Sequence, residues 1–332
     1  MTSKGFTRYV LPLVVFPALT AVAVKVIFGR LQTGMSDGLK VQCGLPDSPY
    51  RIPFTGNPRL DGKLCGIVAT FHNLLEDPLS LQFLVYGLGT GTIAFFVPVL
   101  EASRSRKFFL LAFPVIWLLL AQLATIGFIM TLWAPIFILS GSHLPKRNKA
   151  DTRITRVRAE SLIFSLIEGY FVPTLGMVYL KDPQVTAIWQ IFPVILSVAA
   201  FVHLGIRHFS KVEGSGYPFV QVLLVGIFVL SSSIHFATVF PILADTNALG
   251  SLLIPYLTPL PAPSPTSALV LDFLKWDIVV AFSTLGVATL WFASSLTQFI
   301  GLILWYAFAI PMTGPGAAIT GVFLWREAKL QK

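Results

Sequence analysis

Long apolar stretches recur along the 332-residue chain, with polar connections between them. Because a membrane-spanning α-helix needs about 20 predominantly apolar residues, this pattern predicts an all-α fold. We expect a polytopic membrane bundle of about eight transmembrane helices that forms a single domain, residues 1–332. An even number of spans places both termini on one side of the membrane. The predicted spans are residues 9–28, 79–100, 108–139, 159–180, 185–206, 217–240, 269–292 and 297–325.

Three segments depart from this simple pattern. Residues 108–139 are too long for one straight helix across a bilayer of ordinary thickness, so we expect Pro135 to end the membrane helix or to begin an interfacial piece. The prolines and glycines of residues 311–316 should break or kink the last run. Residues 29–78 form the longest polar loop, and their prolines argue against a long helix there.

Composition agrees with a membrane protein, since 55% of the residues are hydrophobic and 12% are charged. Soluble domains carry about twice that charged fraction. The net charge of +9 therefore indicates membrane lipids, not nucleic acid, as partners, because basic residues beside spans contact phospholipid headgroups. Their distribution between the two predicted faces is too even to fix the orientation, and the oligomeric state stays open. We expect an endoplasmic reticulum membrane protein.

The two cysteines, Cys43 and Cys65, lie in the same polar loop. They would form a disulfide if that loop faces an oxidising compartment, but two free thiols are equally compatible with the sequence. The chain has no CxxC motif and no Cys/His cluster. The sequence therefore predicts neither a metal nor another cofactor.

The seventh apolar run, residues 269–292, carries three charges in its first third: Asp272, Lys275 and Asp277. A carboxylate at membrane depth costs a few kcal/mol or more unless it is paired or hydrated. One interpretation places all three at the membrane interface, where Lys275 reaches towards water. The other makes Asp277 an acid at the mouth of an intramembrane pocket, beside Trp276.

The order of the spans suggests a site, because the sixth span ends and the seventh begins on the same membrane face. Glu168 lies near the middle of the fourth span and could form the floor of a cavity below them. Alternatively, Glu168 is a structural carboxyl bonded to Ser165 or Tyr170, and His235 is a packing histidine. The residues expected at that face are Glu101, His235, Asp245, Asp272, Trp276 and Asp277.

Missing motifs narrow the chemistry. The chain contains no aspartate-rich diphosphate motif, GxSxG, HExxH or P-loop. A carboxyl group buried in low dielectric favours its protonated form and can act as a general acid, while aromatic rings stabilise cations. This combination suits protonation and cyclisation of an isoprenoid, with an epoxide preferred over an alkene. The catalytic candidates are Asp277, Glu168 and Asp272, and the substrate-contact candidates are Trp276, His235, Tyr170 and Glu101.

Two stretches, FLVYGLGTGTIAFFVPVLEASR (residues 83–104) and FLKWD (residues 273–277), carry a resemblance. They are similar to the integral-membrane terpene cyclases of fungal meroterpenoid biosynthesis, of the ascofuranone and macrophorin type. The resemblance implies metal-independent cyclisation of a lipophilic prenylated aromatic or polyketide, started by protonation. Asp277 matches the acid of the FLxWD pattern.

Two other classes of function stay open. The same helical pattern fits a proton-coupled transporter of a lipophilic metabolite, with Glu168 as the coupling site and residues 311–316 as a broken cavity helix. A scaffold protein without a substrate is the third. Conversion of a prenylated phenol by microsomes without an energised membrane would separate a cyclase from a transporter.

Overall fold

The computed structural model describes residues 9–45, 47–144, 152–208, 214–261 and 263–331. These residues form helices and connections, with one isolated antiparallel bridge between Thr155 and Ser215, which confirms the predicted all-α class. The α-helices are α1 (Leu11–Ala23), α2 (Ser36–Gly44), α3 (Pro58–Glu76), α4 (Pro78–Ala102), α5 (Pro114–Ala124), α6 (Ile126–Leu139), α7 (Arg156–Leu166), α8 (Val172–Leu180), α9 (Pro183–Trp189), α10 (Phe192–His208), α11 (Tyr217–Val239), α12 (Thr246–Leu253), α13 (Thr266–Thr289), α14 (Leu296–Thr313) and α15 (Pro315–Gln331).

Within the described ranges, five helical segments are long and apolar enough to cross a membrane, and the first of them is kinked at Thr33 and Gly34. A sixth is obtained if α9 and α10, which meet at a 61° bend, are counted as one span. Helix α13 has 24 residues but carries the three charges noted above. The predicted total of about eight spans stays a prediction. The five segments are Leu11–Gly44, Pro78–Ala102, Arg156–Leu180, Tyr217–Ile242 and Leu296–Thr313.

Ion pairs and hydrogen bonds identify the two ends of the bundle. At one end, here called the Glu101 end, Arg104 and Arg326 both bind Glu101. At the other, the Asp272 end, Arg30 pairs with Asp272 at 3.1 Å. Helix α13 begins at the Asp272 end and reaches the Glu101 end, where the Lys329 ammonium of α15 donates to the carbonyl oxygen that follows α13.

The run of residues 108–139 is a helical hairpin and not one span. Helix α5 ends and α6 begins at Thr125, whose φ of 71° cannot continue a helix and whose hydroxyl accepts the N–H of Phe128. Both ends of the hairpin lie at the Glu101 end, because Ser105 binds the Arg153 carbonyl and Arg326 binds the Ser142 carbonyl. The expectation that Pro135 ends the membrane helix is wrong, since Pro135 lies inside α6.

The last apolar run, predicted as one span with a break or kink at residues 311–316, is broken there but turns back as a hairpin of two helices. Helix α14 ends before Gly314, which has a φ of 86°, and Pro315 starts α15. A side chain on Gly314 would lie 2.8 Å from Nδ1 of His235, so the turn also needs glycine for its close approach. The hairpin α14–α15 starts and ends at the Glu101 end, where Lys329 also donates to Gln298.

The segment 29–78 is more helical than predicted. Helix α3 has 19 residues because its proline, Pro58, occupies the first turn, where a proline is tolerated, and the side chain of Asn57 caps it. A disulfide between Cys43 and Cys65 ties α2 to α3, which decides between the two thiol states that the sequence allowed. Helices α2 and α3 together are called the cap below, and they lie at the Asp272 end, where Gly38 approaches Thr266.

Candidate active site

A cavity of about 560 Å³ lies between the cap and the bundle. Its walls come from the end of the first span, the cap, α4, α9, α13 and the turn between α5 and α6. Among the described residues that line it, Lys63 and Asp277 are the charged ones. Aromatic side chains supply much of the remaining surface, namely Phe28, Phe71, Phe83, Phe95, Trp189, Phe273 and Phe282.

Asp277 is buried, with 5% of its surface exposed, and the hairpin turn holds its carboxyl group. Oδ1 accepts the N–H of Gly127 at 2.6 Å, and the Thr125 hydroxyl and the Ile126 N–H also bind the group. These donors cluster at the first turn of α6 and hold the carboxyl group in place. A side chain on Gly127 would lie 2.7 Å from Oδ1, so glycine permits this contact.

Asp272, the first aspartate of α13, does not line the cavity and makes structural contacts. Asp272 pairs with Arg30 and accepts the backbone N–H of Tyr256 at 2.7 Å. Lys275 donates to the carbonyl oxygens of Ser251 and Ile254 and so ties α12 to α13. The interpretation that all three charges of α13 lie hydrated at an interface is therefore wrong, because the protein itself buries them.

Two of the expected substrate contacts also make structural bonds. The indole N–H of Trp276 donates to the carbonyl oxygen of Tyr256 at 3.0 Å, and the Arg30 guanidinium lies 5.3 Å from its ring centre. His235 binds the Tyr86 hydroxyl through Nδ1 at 3.2 Å and the Pro311 carbonyl oxygen through Nε2 at 3.1 Å. Neither Trp276 nor His235 lines the cavity.

Tyr170 lies directly behind the cavity wall. Its hydroxyl donates to the Leu88 carbonyl oxygen at 2.8 Å. Its ring packs against those of Phe95 and Phe192, with centres 5.4 Å and 5.2 Å apart. Phe95 itself lines the cavity, so Tyr170 supports the wall without forming it.

Glu101 does not lie at the expected face. It belongs to a buried cluster with Arg104, Arg326 and Glu327, in which the two negative and two positive charges balance. Asp272 lies at the other end of the bundle, about 30 Å away along α13. The prediction failed because the α5–α6 hairpin returns to its own side, which reverses the assumed direction of every later span.

Glu168 does not form the floor of the cavity. It lies on a π-helical turn, Ile167–Phe171, and its side chain is exposed on the outside of the bundle. The alternative that it bonds to Ser165 or Tyr170 also fails, since these hydroxyls donate to the carbonyl oxygens of Leu162 and Leu88.

The structure also brings in side chains that the sequence interpretation did not single out. Lys63, Thr125 and Gly127 either line the cavity or bind Asp277. The sequence offered one signal, the Thr-Ile-Gly break in an otherwise strongly apolar run. In the described part of the chain, no three His, Cys, Asp or Glu side chains cluster closely enough to hold a metal ion.

These features define a multi-helix membrane protein with an internal apolar cavity and a buried carboxyl group in its wall. Residues 7–330 match the CtvD domain, so the chain belongs to the CtvD domain family. This is a family of fungal biosynthetic-cluster proteins, and membership indicates a biosynthetic enzyme of secondary metabolism. No curated protein and no solved structure matches the chain.

Proposed function

We propose that the protein is a membrane-bound, metal-independent terpene cyclase that acts on the isoprenoid chain of a prenylated aromatic or polyketide. One observation carries the proposal: Asp277 is the acidic side chain among the described residues that line the apolar cavity. An acid in such surroundings can protonate a bound lipophilic substrate.

The cavity suits a substrate of this class. A volume of about 560 Å³ lies within the range of pockets for drug-sized ligands. The rings of Phe95 and Trp189 offer faces that attract a carbocation, and the apolar wall keeps water from capturing it.

The chemical step begins at the carboxyl group of Asp277. Since Oδ1 accepts the N–H of Gly127, the proton to be transferred resides on Oδ2. It passes to the terminal epoxide oxygen, the C–O bond breaks, and a hydroxyl group and a carbocation result. The π electrons of an internal alkene then attack the cation and form a C–C bond. The final cation loses a proton, which restores the acid.

An Asp277→Asn variant tests this proposal. Asparagine keeps the acceptor oxygen for Gly127 but has no proton to donate, so turnover of a prenylated phenol epoxide should fall at least about 100-fold at normal protein level. Product formation in microsomes is followed by liquid chromatography and mass spectrometry. Glu168→Gln, which changes an acid outside the cavity, is the matched control and should keep its turnover. Near-normal turnover of Asp277→Asn would contradict the proposal.

A further inference from the structure

The cavity holds two opposite charges that do not pair with each other. Lys63 lies on the face of α3 that lines the cavity, together with Gly66, Ile67 and Thr70, at the spacing of one helical stripe. Its side chain is exposed, whereas Asp277 is buried in the wall. Lys63 therefore marks the mouth of the cavity.

Lys63 has no acidic partner among the described residues. No ion pair within 4.0 Å involves it in the described ranges, although Lys40 and Arg30 at the same end of the bundle each have an aspartate partner. An ammonium group is a compact charge with three donors, suited to a carboxylate. A ligand with an anionic head at the mouth would place that head beside Lys63 and its apolar part inside the cavity.

We propose that Lys63 binds an anionic head of the substrate, the carboxylate of an aromatic acid, while the isoprenoid chain extends into the apolar part of the cavity. Binding of the carboxylate at Lys63 is inferred from the cavity and its charges alone. Only the placement of the isoprenoid chain next to Asp277 rests on the proposed cyclase function. The substrate class narrows from any prenylated aromatic to a prenylated aromatic acid.

The test measures binding without turnover. The full chain carrying Asp277→Asn is placed in neutral lipid nanodiscs, and affinities are measured by calorimetry for a farnesylated hydroxybenzoate and for its methyl ester. Adding Lys63→Gln should weaken binding of the acid about tenfold or more and leave binding of the ester unchanged. Lys63→Arg, which keeps the charge, should retain most of the affinity for the acid.

Arg59→Gln is the matched control. Arg59 lies four residues earlier on α3, is exposed and does not line the cavity, so its loss should leave both affinities unchanged. Equal weakening by Arg59→Gln and Lys63→Gln would show a general effect of charge and overturn the proposal, as would a Lys63→Gln variant that binds the acid normally. All these binding measurements use the Asp277→Asn background, so they do not depend on catalysis. The cyclase proposal is tested separately, by the turnover of Asp277→Asn against that of the wild type.

Discussion

Gly127→Ala is the most direct test of how the hairpin turn serves the site. The added methyl group would lie 2.7 Å from Oδ1 of Asp277 and closer still to the backbone oxygen of the same residue. Because a backbone oxygen cannot rotate away, α6 and α13 must separate. Overpacking of this kind costs about 1–3 kcal/mol.

The loss in activity has a cause of its own, separate from the loss in stability. Separation of the two helices weakens the bond from Gly127 to Oδ1 and displaces the acid from the substrate. A displacement of about 1 Å can lower a rate about 100-fold, which corresponds to about 2.7 kcal/mol in the activation free energy.

Turnover in microsomes and the apparent Tm of the detergent-solubilised protein measure the two effects. Gly286→Ala is the control, since Gly286 lies on α13 with nothing within 4 Å of an added methyl group. It should keep full turnover and gain about 0.5–1 kcal/mol from helix propensity. If Gly127→Ala matches the wild type in both turnover and Tm, the turn does not position Asp277.

Four further predictions follow from the described contacts. Activity on an epoxide substrate should survive EDTA in washed membranes. It should fall as the pH rises through the pKa of the acid, because only a protonated carboxyl group donates a proton. A requirement for magnesium and a free prenyl diphosphate would refute acid initiation. Cys43→Ser removes a disulfide with a sequence separation of 22 and should lower the free energy of unfolding by about 3 kcal/mol, measured as a lower Tm. An unchanged Tm would mean that the disulfide does not stabilise the cap. Arg326→Ala leaves Glu101 in a buried cluster with excess negative charge and should cost about 3–5 kcal/mol; normal melting and accumulation would contradict this. Burial lowers the pKa of His72, so the stability from its neutral form is complete above about pH 6.5 and is lost as the pH falls. His72→Gln should flatten the fall of Tm between about pH 7 and pH 5, and an equally steep fall would rule His72 out as its cause.

Run lengths and strong breakers were enough to predict the class of the protein and the break at residues 311–316. They did not predict the turn at Thr125, because its φ of 71° depends on a tertiary contact with Asp277, and an isolated glycine such as Gly127 is only a weak local signal for a break. That one missed turn reversed the assumed direction of the spans that follow, so Asp272 and His235 lie at the opposite end of the bundle from Glu101 and not beside it.

Of the candidate acids, Asp277 and Glu168 both stood out in the sequence, but only the folded structure shows which of them reaches the cavity. Asp277 stood out because it lies in an apolar run, and the structure places it in the cavity wall. Glu168 stood out for the same reason, but depth along a helix does not determine which face a side chain occupies, and Glu168 points outward.

The α5–α6 hairpin has a consequence for membrane orientation. Because it returns to the Glu101 end, the most basic connection of the chain, residues 140–155, begins and ends there, and Arg158 binds the Ser103 carbonyl at the same end. Basic connections face the cytosol, and the Cys43–Cys65 disulfide at the opposite end requires an oxidising lumen. Both criteria predict one orientation, in which the Glu101 end and a tag added after α15 face the cytosol and the cavity mouth opens on the opposite side. Protease protection of tagged microsomes would reveal the reverse arrangement, and in the expected one the substrate reaches Lys63 from the luminal side.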